Sequence, residues 1–262
     1  MAKERNKSLL DKSIASAISA IEVYNKPDFK YREETFSILM INAWELLLKS
    51  KILKDNANDL RSIYVQERST NKDGTPSKRF YPKLNRSFNP MTIEIRGAME
   101  KLGLPEILKE NLNLLIEIRD NAIHFLNKDP FFQKKVLEIG TANLKSYVKM
   151  FNDWFDNDLS QYNFYLMPIS FFHSFELESF SINKQSTQIK NLLAHVLQKE
   201  SQYPSDEKKD HNISLRIETK FSKSSTPDAL KVQYDPNATL KVRVDIEEQF
   251  KNKYPMDYQA LV

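Results

Sequence analysis

In Leu108-Lys109-Glu110-Asn111-Leu112-Asn113-Leu114-Leu115-Ile116-Glu117-Ile118-Arg119-Asp120-Asn121-Ala122-Ile123-His124, apolar residues return at helical spacing. Leu108, Leu112, Leu115, Ile123 and Leu126 mark one stripe, and Arg119 takes a place on it that the pattern would give to a core residue. Asp120 and His124 are four apart and share a face. Arg119 lies about 140° from His124 around an ideal helix, yet its long stem can swing its fork to the same space. Burying a guanidinium, a carboxylate and an imidazole within two turns is expensive unless the groups are paired or used.

Working outward, the chain before this helix predicts three more. Leu10, Ile14, Ala17, Ile18 and Ile21 mark an amphipathic helix over Leu9 to Tyr24, stopped near Pro27. A second helix, Tyr31 to Leu53, is apolar on most of its circumference and should be the central helix of a bundle. Its exception is a polar stripe of Asn42, Glu45 and Lys49. If this helix packs antiparallel to the Arg119 helix, Glu45 becomes the natural carboxylate to hold that guanidinium. Residues 54–90 break the helical pattern. Ser62 to Glu67 and Lys78 to Tyr81 are strand-like around the turn signal Asn71-Lys72-Asp73-Gly74, which predicts a β-hairpin inserted over about 56–90. A third helix runs from Thr92 to Leu102. Gly103 stops it and Pro105 starts the fourth, which extends to about Asn127. A fifth helix spans Pro130 to about Asp156.

Beyond Asp158 the pattern changes. Tyr162 to Phe172 is rich in aromatics, with Phe171 and Phe172 better suited to a core than to stacking on bases. Gln185 to Gln198 predicts another helix. Ile213 to Phe221 and Leu240 to Ile246 alternate with period two, and Leu230, Val232 and Tyr234 add a strand, as in a half-buried antiparallel sheet. The last nine residues predict a helix of one or two turns, which either docks on that sheet or belongs to a chain continuing past Val262. The expected fold is therefore mainly α, a helical domain over 1–158 with an inserted hairpin, followed by a smaller α+β domain over 159–262.

Composition narrows the chemistry. There is no cysteine, which excludes a disulfide framework and a Cys-based zinc site. His173, His195 and His211 have no ligand spacing, so neither a metal nor a cofactor is expected. No apolar run approaches about 18 residues, and the charged N-terminus lacks a secretory stretch, making a cytoplasmic protein the default expectation. The net charge of +4 permits nucleic acid without arguing for it. Its distribution is more telling. From Arg68 to Arg86 lie Arg68, Lys72, Lys78, Arg79, Lys83 and Arg86 against only Asp73, with Phe80 and Tyr81 among them. Such a basic, aromatic hairpin can track a phosphate backbone and stack unpaired bases; an ordinary solvated loop is the other reading.

An Arg, a polar residue, three further residues and then His, on the fourth helix of a small bundle, resembles the HEPN superfamily of ribonucleases. The run Asn42-Ala43-Trp44-Glu45-Leu46-Leu47-Leu48-Lys49 is similar to the second helix of a bacterial branch long catalogued as a domain of unknown function. The resemblance covers about Leu9 to Asp156. It implies an up-and-down bundle and metal-independent RNA cleavage in a bacterial toxin or anti-phage defence system. In that chemistry His124 takes the proton of a ribose 2′-hydroxyl, and Arg119 stabilises the phosphorane that leads to a 2′,3′-cyclic phosphate. Asp120 or Asn121 orients the imidazole or binds the RNA backbone. The resemblance also implies a homodimer whose two motifs share a cleft, and a defence-system partner. One sub-branch carries a modifiable Tyr two positions after the His; here that position is Leu126.

Plainer roles exist for the same residues. His124 can cap its helix, Arg119 can form a buried ion pair with Glu45, and Lys49 can belong to a solvated face. The rival functions are a non-catalytic RNA- or nucleotide-binding module that signals to a partner, and a purely structural interaction protein.

Overall fold

The computed structural model describes residues 4–26, 29–70, 73–124, 130–156, 159, 162, 187–206, 208–215, 220–222 and 231–233. Within these, the side chains of 70, 76–77, 121–124, 130–131, 220–222 and 231–233 lie outside the description. Six helices dominate: α1 (Arg5–Asn25), α2 (Arg32–Asp55), α3 (Ile95–Leu102), α4 (Glu106–His124), α5 (Pro130–Phe155) and α6 (Thr187–Gln202). Strands β1 (Gln66–Thr70) and β2 (Pro76–Pro82) form an antiparallel hairpin between α2 and α3. Strands β3 (Lys220–Ser222) and β4 (Lys231–Gln233) pair in a second, smaller compact unit. The chain is mainly α with the hairpin inserted where the turn signal predicts it.

Helix α2 touches α1, α3, α4 and α5, which makes it the central helix its apolar circumference predicts. Small residues on α1 let it approach closely. Ser13, Ser16, Ala17 and Ala20 are buried, and the Ser13 and Ser16 hydroxyls donate to the α2 carbonyls of Ala43 (2.6 Å) and Leu39 (2.8 Å). The Ser50 hydroxyl donates to the Asn6 carbonyl, so numbers rise on one helix as they fall on the other. The pair is antiparallel. Since Ser13 spends its proton on Ala43, the Tyr147 hydroxyl 2.7 Å away must be the donor to Ser13 Oγ. Burial also pushes the Tyr147 phenol further from ionisation. Trp44 meets Asn143 and Tyr147, while Lys54 reaches the Trp154 carbonyl and the Phe155 ring, so α2 and α5 run parallel.

A buried chain of amides crosses this core. The Trp44 indole N–H donates to Asn143 Oδ1 at 2.8 Å, and Asn143 Nδ2 donates to Asn111 Oδ1 at 2.9 Å. Asn111 Nδ2 then donates to the carbonyls of Ile139 (3.2 Å) and Ile213 (2.7 Å). Both asparagines are fully buried, and each has its carbonyl oxygen and amide satisfied within the network.

Three expectations are corrected, and a fourth falls outside the described residues. Ser62 and Ile63 do not begin the strand; they lie in a 3-10 turn, Leu60–Ile63, whose start is capped by the Asp59 carboxylate accepting from the Arg61 N–H. Residues 211–215 are not the start of a long strand either. They are mostly buried against the helices, with Ile213 packed on Leu114, Ile118 and Val136. Leu215 N–H donates to the Glu138 carbonyl. Nor does helix α6 group with the strands. Lys199 pairs with Glu110 of α4 at 2.9 Å, and Lys135 of α5 bridges Glu138 and Glu200. The compact helical unit therefore includes α6 and runs past the expected boundary at 158. Finally, Leu240 to Ile246, Phe171, Phe172, His173 and the last nine residues lie outside the described residues, so the expected sheet is represented only by β3 and β4.

One buried acid sets a pH dependence. Glu33, in the first turn of α2, is buried, and desolvation pushes its carboxyl up from 4.5 to about 7. A raised carboxyl contributes stability fully present below its unfolded value and lost as pH rises through its folded one. Above pH 7 the buried carboxylate costs about 3 kcal/mol. Glu33→Gln is therefore expected to raise the thermal midpoint at pH 8 while leaving it little changed at pH 4. A scanning-calorimetry series in pH checks this; a midpoint that falls at pH 8 would refute it.

Candidate functional site

The last two turns of α4 carry Arg119, Asp120 and, as the final residue, His124. Leu108, Leu112 and Leu115 are fully buried, whereas the Arg119 side chain further along the same stripe is 31% exposed. Arg119 Nε and Nη2 lie 2.9 and 2.8 Å from Asp120 Oδ1, so one edge of the guanidinium is held by its neighbour. Among the described residues its Nη1 side makes no bond. A fork held along one edge by a neighbouring carboxylate is oriented in the way that recognition of a phosphate or phosphorane oxygen requires. The side chains of Asn121 and His124 lie outside the described residues. The backbone at His124 is helical.

The expected Glu45–Arg119 ion pair does not form. Glu45 instead accepts from Lys49 Nζ at 2.5 Å, one turn along α2. Lys49 is buried rather than solvated and also donates to Thr92 Oγ1 at 2.9 Å. The pair is local because i, i+4 residues on a helix meet without any tertiary arrangement. Its use is structural: it ties α2 to the chain entering α3. Asn42 turns elsewhere, its Nδ2 donating to Ser16 Oγ on α1 at 3.1 Å. The polar stripe of α2 thus serves two neighbours, neither of them Arg119.

The hairpin keeps the expected cations together. Cross-strand partners are Gln66 with Pro82, Glu67 with Tyr81, and Arg68 with Phe80. Because side chains alternate, Arg68, Lys78 and Phe80 share one face, and Glu67, Arg79 and Tyr81 the other. The Arg68 guanidinium lies over the Phe80 ring, 4.6 Å from its centroid. Asp73 Oδ1 accepts from the backbone and hydroxyl of Thr75, and Gly74 takes φ +80° to close the turn. At the base, Val65 N–H donates to Met91, Lys83 N–H to Val65, and Met91 N–H to Lys83, fastening the hairpin to a following loop. Lys83 and Arg86 are exposed on that loop.

Sequence reasoning overlooked Phe88 in this loop. Its ring is 83% exposed and its φ is +59°. The signal was present, since Asn85-Arg86-Ser87-Phe88-Asn89-Pro90 sets one large apolar residue amid turn formers.

A family model described as Domain of unknown function (DUF3644) matches residues 8–203, well over half of the sequence. The chain belongs to the DUF3644 family. No curated protein and no solved structure matches it. The DUF3644 match runs from α1 through α6, so it spans the same helices as the compact unit, α6 included. Both the Arg119–Asp120 pair and the basic hairpin fall inside it.

Two other polar clusters of the DUF3644 chain have structural explanations. A cleft of about 490 Å³ between α3, α4 and α6 contains His195 and Glu100, and six of its other charged side chains form the ion pairs Lys199–Glu110, Lys109–Glu106 and Arg96–Glu117. His211 Nδ1 lies 3.1 Å from Ser146 Oγ in a buried contact, and burial holds its imidazole below its ordinary value. No helix among the described residues is long and apolar enough to cross a membrane.

Proposed function

We propose that this protein is a metal-independent endoribonuclease built on a HEPN-like up-and-down bundle, acting as a cytoplasmic homodimer with a shared cleft, within a bacterial toxin or anti-phage defence system. The observation that carries the reading is Arg119. It stands on the core stripe of α4 yet is partly exposed, and it has one guanidinium edge fixed by Asp120, five residues before His124. In the proposed chemistry His124 accepts the proton of a ribose 2′-hydroxyl and the alkoxide attacks the adjacent phosphorus. Arg119 stabilises the charge gathering on the phosphorane. The 5′-oxygen leaves and takes a proton, supplied by the second protomer's imidazole, giving a 2′,3′-cyclic phosphate and a 5′-hydroxyl. Asp120 is a positioning residue for the guanidinium, and the hairpin cations Arg68, Lys78, Arg79, Lys83 and Arg86, with Tyr81, hold the strand.

Purified protein incubated with total RNA in chelator is expected to cleave it, and Arg119→Ala and His124→Ala each to lower the rate by about 100-fold or more. Product ends are read by their resistance to ligation until the cyclic phosphate is opened. Intact RNA with wild-type protein would refute the enzyme. One observation favours a second reading, a non-catalytic RNA- or nucleotide-binding module: the guanidinium is already partly engaged by Asp120. Retained binding without cleavage supports that module.

A further inference from the structure

Five of the eight large exposed apolar side chains among the described residues fall between 80 and 91: Phe80, Tyr81, Leu84, Phe88 and Met91. The sequence between Asp73 and Glu94 has Lys78, Arg79, Lys83 and Arg86 and no acid. A two-stranded ribbon is at best marginally stable alone, and leaving these side chains so exposed forgoes much of the usual reason for carrying them.

Phe88 is the sharpest anomaly. A left-handed backbone disfavours a residue with a Cβ, and Ser87 or Asn89 beside it would suit the position better. The loop nevertheless enforces it. Asn85 Oδ1 accepts from the N–H groups of Ser87 (2.9 Å) and Asn89 (3.0 Å). Asn85 N–H donates to the Asn89 carbonyl and Phe88 N–H to the Asn85 carbonyl. Leu84 and Pro90 close the loop as a bridge. The ring is thus held out to solvent by a fixed frame.

We infer that the loop over 83–91, with Phe88 at its tip, together with the Arg68–Lys78–Phe80 face of the hairpin to which it is fastened, is a stacking site for the unpaired bases of a single-stranded RNA. This rests on the ribonuclease reading and specifies its substrate as unpaired strand. Rings with exposed faces select bases that are not already stacked in a duplex, and the surrounding cations match the phosphates. An acidic peptide would satisfy the charge but leave the Phe88 ring without a flat partner.

The test uses the full chain and a fluorescent 2′-O-methyl oligoribonucleotide, which lacks the 2′-hydroxyl nucleophile, so that binding is read apart from cleavage. The single strand is expected to bind at least ten times more tightly than its duplex. Phe88→Ala should weaken single-strand binding about 5- to 100-fold, Phe88→Trp should retain it, and the duplex should be indifferent to either. Lys83→Ala or Arg86→Ala should reduce the slope of log affinity against log salt by about 0.7. Equal binding of strand and duplex, or no effect of Phe88→Ala, overturns the inference while leaving cleavage untouched. Tight binding by a chain that never cleaves RNA sustains the stacking site and sinks the nuclease. A self-association lost in Phe88→Asp, with no RNA affinity to lose, would show the tip to be a contact between copies and overturn the inference.

Discussion

Asn111→Ala is expected to lower the unfolding free energy by about 3–5 kcal/mol, a large share of what a domain usually has. The substitution strips the partner from Asn143 Nδ2 and from the Ile213 carbonyl, and opens space in a fully buried site. Each orphaned buried group costs about 1–3 kcal/mol. Asn111→Leu refills the space but leaves the same orphans, so it should recover only part of the loss. Urea unfolding followed by circular dichroism measures both, and Trp44 fluorescence reports the same network through its indole N–H. A midpoint that barely moves would mean that the amide chain is incidental to the core.

Arg119→Lys is expected to slow RNA cleavage about 100-fold although it keeps the charge. Arginine offers a planar fork, one edge of which Asp120 occupies and another of which can address two phosphorane oxygens. A lysine ammonium can serve one task or the other. Glu45→Gln is the informative control: its carboxylate engages Lys49, so cleavage should stay within about 2-fold of wild type. Single-turnover rates at saturating RNA separate the chemical step from binding. A fully active Arg119→Lys would reduce the role of this residue to that of a point charge. A large loss in Glu45→Gln would bring that carboxylate back into the site.

The helices were legible because their causes are local. Apolar spacing, the left-handed Gly103 after α3 and Pro105 before α4 need no knowledge of the rest of the chain. The hairpin was legible for the same reason, through Asp73-Gly74. What failed was long-range pairing. Glu45 had two candidate cations, and the one four residues away was closer than any pattern-based guess about helix packing allowed. The place of α6 was hidden because Lys199–Glu110 and Lys135–Glu200 join residues far apart in sequence. The alternation begins at Ile213, yet Ile213 and Leu215 engage the helices while Phe221 lies in β3, because an alternating stretch can be buried as well by helices as by a sheet. Of the candidate site, the residue types were readable and their exposure was not. Arg119 looked like core because its stripe gives no sign of where the helix leaves the interior.

The hook formed by Ile213 and Leu215 has a practical corollary for anyone cutting this polypeptide. A fragment ending at 158 would strip α6 and the hook from α4 and α5, baring Leu114, Ile118, Val136 and Ile139 to water. Such a piece should aggregate or resist expression, whereas one ending just beyond Leu215 keeps the anchors seen among the described residues and should remain a cooperative folding unit.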